Sequence, residues 1–345
     1  MNSPLITHRA RLCTGFIAAV VTLLWLHPAY AHVKWFCSYD VAAAPRPIRM
    51  VATNELGTLV LVTLAVLLVA GMLDRTSIGL AIHRSLDRVT GILRADSDVL
   101  IRAVLGGFFV SLWAMDGIIL TPELKTSAQW VPWLQLAIAT GMIWRQTLGL
   151  SAAGIVALYL YAVDQYCIFH LLDYPIFLGL AAYLAISSLP TARLGIRALD
   201  VVRYATSITL MWASVEKWAY PEWTFPLLAV HPEMTFGFSS EFYMRAAGLV
   251  EFALAFTLAC GPLMRRVSAL ILTAMFVSAV FEFGRIDALG HAPIVVVLLA
   301  IMADNEMPAV KRSTILAPAY FCASLAVTVF AYYGVHALFY RAAIG

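Results

Sequence analysis

The segment HPAYAHVKWFCSYD, residues 27–40, sets the small residues Ala29 and Ala31 just ahead of a histidine. Cleavage after Ala31 would make His32 the first residue of the mature chain. Its α-amino group and imidazole could then chelate one metal ion, and a second imidazole would complete a T-shaped nitrogen site suited to copper. His170, His231 and His291 are the candidates for that second imidazole, with Cys37 and Asp40 close by as further ligands.

A second set of groups lies in QYCIFHLLDYP, residues 165–175. On a helix Tyr166 and His170 share a face, and Asp173, three residues on, could orient the imidazole. The stretch FEFGRIDALGHAP, residues 281–293, offers Glu282, Arg285, Asp287 and His291 in the same style. Two such clusters could form a metal, haem or quinone headgroup site between them. The competing reading is that these histidines and tyrosines anchor helix ends among lipid headgroups. Other chemistries lack their residues: there is no phosphate-binding glycine loop, Ser-His-Asp set or HExxH, so hydrolysis and ATP-driven transport have no support. The five cysteines show no CxxC or CxxxC spacing, which removes a zinc knuckle and a reactive dithiol.

The elements that must position these groups are set by composition. Of 345 residues, 62% are hydrophobic and 12% charged, and the mean hydropathy is +0.84. Such a chain cannot hide its apolar surface in a soluble core, so a polytopic membrane protein in a lipid bilayer is expected. The net charge of +3 gives no reason to expect nucleic acid as a partner. The apolar runs lack strand alternation, and lipid offers no partner to a backbone N–H, so the fold class is all-α.

Residues 1–31 read as a signal peptide, with His8, Arg9 and Arg11 before an apolar run of about 15 residues, short of the roughly 20 that a crossing needs. An uncleaved anchor ending at Pro28 is the alternative. Residues 32–53 form a polar N-terminal segment. Apolar runs follow at about 54–73, 99–120, 131–146, 149–170, 174–189, 199–219, 243–261, 267–284, 291–303 and 317–340, which predicts about ten transmembrane helices. The stretch within 74–98 has the pattern of an amphipathic helix lying on a membrane surface.

Loops 74–98, 190–203, 262–266 and 304–316 hold most of the Lys and Arg, so the positive-inside rule places the mature N-terminus in the periplasm of a bacterial inner membrane. That orientation brings His32, His170, His231 and His291 to the outer side. Asp116, Asp164, Glu216, Glu251 and Glu282 fall inside predicted helices, where ionisable groups should face the bundle interior or a wet cavity.

The chain also repeats itself. The stretch from Ile101 to Leu124 parallels that from Val201 to Trp223, each with an arginine at the inner end and a Pro-Glu pair outside; similar parallels continue through LAIATGMIWRQ and LAFTLACGPLMRR. Units of four helices at 99–190 and 199–303 would be related as a parallel repeat, with 54–98 before them and a last helix at 317–340 after.

Residues 201–303 resemble the DoxX-like family of integral membrane proteins. The resemblance rests on Arg203, on SVEKWAYPEW with Lys217, on RAAGLVEFALAFTLACG with its Gly248-x-x-Glu251 pair, and on the basic turn Arg265-Arg266. It implies a four-helix membrane unit of the kind associated with thiosulfate–quinone oxidoreductase subunits, with Glu216, Lys217 and Glu251 as polar residues of its outer interior. This chain is much longer than such a module. Three functions follow as expectations: a redox-linked subunit passing electrons between a periplasmic donor and quinone, a copper-handling protein that works with a periplasmic metal carrier, and a non-catalytic scaffold or assembly subunit.

Overall fold

The computed structural model describes residues 33–74, 76–189, 195–306 and 316–341, and among them the chain forms twelve helices and no strand. In chain order these are α1 (Val33–Phe36), α2 (Ile48–Val51), α3 (Asn54–Leu73), α4 (Ser77–Met115), α5 (Trp130–Gly141), α6 (Leu148–Leu171), α7 (Pro175–Ser188), α8 (Ala198–Ala219), α9 (Phe225–Val230), α10 (Ser240–Thr257), α11 (Pro262–Ala303) and α12 (Ala317–His336). The class is all-α, as the composition requires. His32 lies outside the described residues.

Six stretches are long and apolar enough to cross a bilayer: Asn54–Leu73, Ser77–Met115, Arg145–Leu171, Pro262–Phe281, Phe283–Ala303 and Ala317–Tyr340. The protein is therefore membrane-embedded. The count of ten does not emerge. At 12 and 14 residues, α5 and α7 span only about 18 and 21 Å. Helices α8 and α10 are long enough but more polar, because they carry the charges that line the interior.

Two boundaries differ from the sequence reading. The amphipathic stretch of 74–98 and the run that follows form one continuous helix of 39 residues, α4, because nothing between Ser77 and Met115 breaks the backbone pattern. That helix stops at Met115, short of position 120, since Asp116 and Gly117 take left-handed φ values of 52° and 66°. The Gln135 side chain then donates to the carbonyls of Ile118 (2.7 Å) and Ile119 (3.0 Å), holding the loop against α5. Conversely, α11 reverses at Gly284, whose φ of 78° suits a residue without a side chain. Its two halves run back alongside each other, as the bond from Arg266 Nε to the Met302 carbonyl (2.8 Å) requires.

Around the bundle each helix packs on the next in the order α4, α5, α6, α7, α8, α10, α11, and α11 closes the ring against α4. Helices α3 and α12 pair outside this ring, against α8 and α10. Leu61, Val62, Val66, Val327 and Phe330 on their outward faces are exposed, as lipid-facing side chains would be.

Arginines gather at one end of the bundle, where helix C-termini leave carbonyls without intrahelical donors. Arg102 donates to the Met142 carbonyl (3.1 Å) and Arg145 to that of Ser187 (3.4 Å). The second series of helices has the same contacts, Arg203 to Leu258 (2.9 Å) and Arg266 to Met302. The opposite end carries Asp173, Glu216 and Glu123, and the chain from Tyr39 to Val51 is tied across it. Arg46 N–H donates to the Ala219 carbonyl (2.8 Å), Tyr220 Oη to that of Ala43 (2.7 Å), and Tyr333 Oη to that of Arg46 (2.6 Å).

Helices α7 and α8 meet at Gly179, where an added Cβ would collide with the Ala205 side chain and press on the Val202 backbone. We expect Gly179→Val to destabilise the protein by about 1–3 kcal/mol, the cost of overpacking a tight interface. Thermal melting in one detergent, beside Gly107→Val, where an added Cβ meets nothing within 4 Å, checks this.

Candidate ligand cavity and its charged rim

Between α7, α8, α10 and α11 lies a cavity of about 550 Å³, within the range of small-molecule sites. Ile176, Phe177, Leu210, Met244, Phe276 and Phe283 supply apolar wall, and into it project Lys34, Asp173, Glu216, Lys217, Glu251, Asp287 and His291. The charged residues reach it from five directions. Lys34 comes from α1, Asp173 from the turn between α6 and α7, Glu216 and Lys217 from the end of α8, Glu251 from mid-α10, and Asp287 from α11.

Lys34 is 5% exposed. Its ammonium pairs with both Asp173 and Glu216, and the rings of Tyr39 and Trp223 lie 5.8 and 5.6 Å from the nitrogen, within cation–π range. Burial alone would lower the lysine pKa, but the two carboxylates outweigh it and leave it raised, so the group stays charged. Beside it on the rim, Lys217 forms a separate pair with Glu251 at 2.5 Å. Gly248 permits that pairing, because α10 approaches so closely there that an added Cβ would strike the Trp218 indole.

Glu123, from the loop after α4, completes the acidic side. It is 9% exposed, with its carboxyl group buried beside Thr121. Burial pushes its pKa up to about 7 against the pull of Lys34, and Glu123 in turn helps burial raise Tyr39 to about 12. Between about pH 4.5 and 7 the folded protein therefore binds a proton that the unfolded chain, with its carboxyl near 4.5, has lost. The stability tied to that proton is fully present below 4.5 and is lost as pH rises through 7, on the order of 3 kcal/mol at 1.36 kcal/mol per unit. In Glu123→Gln that slope should be reduced by the Glu123 share, as melting temperatures from pH 4.5 to 8 would show.

On the far wall His291 Nδ1 lies 3.0 Å from Asp287, which is 1% exposed. The imidazole packs against Phe276 (centroids 4.6 Å apart) and Trp35 (5.2 Å). Trp35 reaches it over Gly290, where any Cβ would occupy the space of the indole.

The residues singled out by sequence thus divide. Glu216, Lys217, Glu251, Asp173 and His291 meet at the cavity. His170 is buried beside the rim with Tyr39 and Tyr166 edge-on at 5.7 and 5.6 Å, so Tyr166 and His170 do meet, although the helix is interrupted between them at Cys167, whose φ is 70° and ψ 150°. The orienting role given to Asp173 does not appear. The helix ends at Leu171, so Asp173 lies in the turn beyond it; its carboxylate pairs with Lys34, and His170 Nε2 is left buried without a hydrogen bond. That orienting contact occurs instead in the second cluster, between Asp287 and His291.

Arg285 sits at the α11 bend without lining the cavity, and the Glu282 side chain lies outside the described residues. His231 pairs with Glu233 (3.2 Å) at the surface, and Asp40 caps a turn by accepting the Ala42 N–H (2.9 Å). The Cys37 thiol is raised by burial, the opposite of what a metal-bound thiolate needs. Among the described residues no three His, Cys, Asp or Glu converge as a metal-binding group. Asp116 and Asp164, expected in the interior, are exposed: Asp116 bonds its neighbour's N–H (2.7 Å), and Asp164 bonds Gln165 (2.9 Å).

Sequence reasoning missed Lys34, Glu123, Trp35 and Trp223. Lys34 is the only Lys or Arg between residues 32 and 45, flanked by aromatic residues, which was the available signal. Glu123 gave none: its counterpart in the second Pro-Glu pair, Glu222, is an exposed partner of Arg46.

The fold and site define an all-helical membrane protein with a charged internal cavity. Set against protein-family models, curated proteins and solved structures, the chain matches none of them.

Proposed function

We propose that this protein binds a small amphipathic redox ligand of the quinone class in its cavity and serves as a redox-linked subunit of a bacterial inner membrane, DoxX-like in its second half. The observation that carries the reading is the cavity: apolar walls of quinone-ring size beneath a rim of paired carboxylates, lysines and an imidazole. A quinone accepts two electrons and two protons, and the residues present fit that need. The Lys217 ammonium supplies a donor for a ring oxygen, while Glu251 and the Asp287–His291 pair provide places to hold protons.

The architecture fits two parallel four-helix units, α4–α7 and α8–α11. In this reading Arg102 matches Arg203 and Arg145 matches Arg266, each closing the same helix end in its own unit, and the cavity opens beside the junction of α7 with α8. The arginine-rich end faces the cytoplasm by the positive-inside rule, which puts Lys34 and the rim in the periplasm, where a soluble donor can reach them. The copper reading has less support, because His231 stands apart at the surface while His170 and His291 belong to different clusters.

The test is titration of purified protein in nanodiscs with a water-soluble short-chain quinone, read by tryptophan quenching, since Trp35 and Trp223 line the cavity. Saturable quenching is expected, and Lys217→Met should weaken it about tenfold, the value of one charge-assisted hydrogen bond. Quenching that rises linearly, or that ignores Lys217→Met, would count against the reading.

A further inference from the structure

The surroundings of the Lys34 ammonium are not those of a simple ion pair. Its nitrogen meets the carboxylates of Asp173 and Glu216 and lies near the faces of Tyr39 and Trp223. Asp173, Glu216 and Trp223 belong to the bundle and its turns, whereas Lys34 arrives on the four-residue helix α1. A third carboxyl, Glu123, is buried within the field of Lys34. Three acidic groups therefore surround one cation, and the other lysine at the rim, Lys217, is engaged by Glu251. Paired carboxylates beneath an aromatic face are how proteins recognise ammonium groups, the charge meeting the acids and the methylene stem meeting the rings.

We propose that this end of the bundle is a receptor for a primary alkylammonium group, filled here by the protein's own Lys34, so that α1 is a tethered ligand. The tether gives the side chain a high effective concentration, so a free amine competes poorly while Lys34 is in place. Docking of Lys34 also lays Trp35 on His291, which makes occupancy of the receptor and closure of the cavity wall one event. This inference is independent of what the cavity binds.

Truncation to Lys34→Ala leaves a hole the size of propylammonium. In full-length Lys34→Ala in nanodiscs, propylammonium chloride should raise the melting temperature saturably, by about 3 °C at ten times its Kd. Propanol and tetramethylammonium should not, and wild type should not respond at the same concentration. Because three uncompensated acids could prevent Lys34→Ala from folding, the same titration is made on Lys34→Ala with Glu216→Gln, which retains Asp173 as the anchoring carboxylate. A saturable, amine-specific response in either variant supports the receptor. No such response in any variant that folds, or an equal one to propanol, overturns it.

Discussion

Lys34→Met loses about 3–5 kcal/mol of stability, the cost of removing one partner from a buried ionic cluster and stranding the others. Lys34, Asp173 and Glu216 are all largely withdrawn from solvent, with side-chain exposures of 2%, 9% and 16%. Methionine fits the space of the stem, so packing is nearly conserved and the loss reports on charge. The decisive comparison is the triple variant Lys34→Met, Asp173→Asn, Glu216→Gln. If stranded carboxylates cause the loss, neutralising both restores most of the melting temperature, because a neutral cluster of similar volume often does as well as a buried ion group. A triple variant as unstable as the single one would mean that α1 contributes through packing and not through its charge.

At the opposite end, Asp304→Ala should cost a similar 3–5 kcal/mol, whereas Arg265→Leu should cost clearly less. The asymmetry comes from the number of partners. Asp304 binds Arg265 at 2.8 Å and Arg197 at 2.9 Å, so losing Arg265 leaves the carboxylate paired. Arg265 is 1% exposed, and its other acceptors are the carbonyls of Asp304 (3.3 Å) and Glu306 (2.6 Å). Removing Asp304 therefore leaves a fully buried guanidinium with no carboxylate on it. Melting temperatures of the two variants, ordered as Asp304→Ala below Arg265→Leu, check the argument; the reverse order would refute it.

Much of this was legible in the residues, for physical reasons that can be named. The apolar runs predicted α3, α6, α7, α8 and α12 to within a few positions, because long apolar stretches have few alternatives in lipid. Glu216 and Glu251 were singled out because a carboxylate inside an apolar helix must face something polar. The same rule misplaced Asp116, which caps the end of α4 and accepts the Gly117 N–H, and Asp164, which lies on an exposed face of α6 and accepts from Gln165. The partners were illegible. That Asp173 would turn to a lysine 139 positions earlier depends on α6 ending at Leu171 and on where α1 docks, and neither leaves a local pattern. Ten crossings were predicted because hydropathy counts apolar length without knowing which helices are shielded by others.

Closure of the ring by α11 against α4 has a consequence in time. Asp87 and Arg266 are 179 residues apart, so at about 5–20 residues per second the α4 face that meets α11 waits roughly 10–35 s of synthesis for its partner. During that interval the first helices form an open arc whose Asp87 has no guanidinium from α11 beside it. Lys34 waits too: it cannot reach Glu216 until α8 exists, although it was made almost at the start. The oldest described part of the chain is thus among the last to settle, and the N-terminal segment docks onto an assembly that has had to form without it.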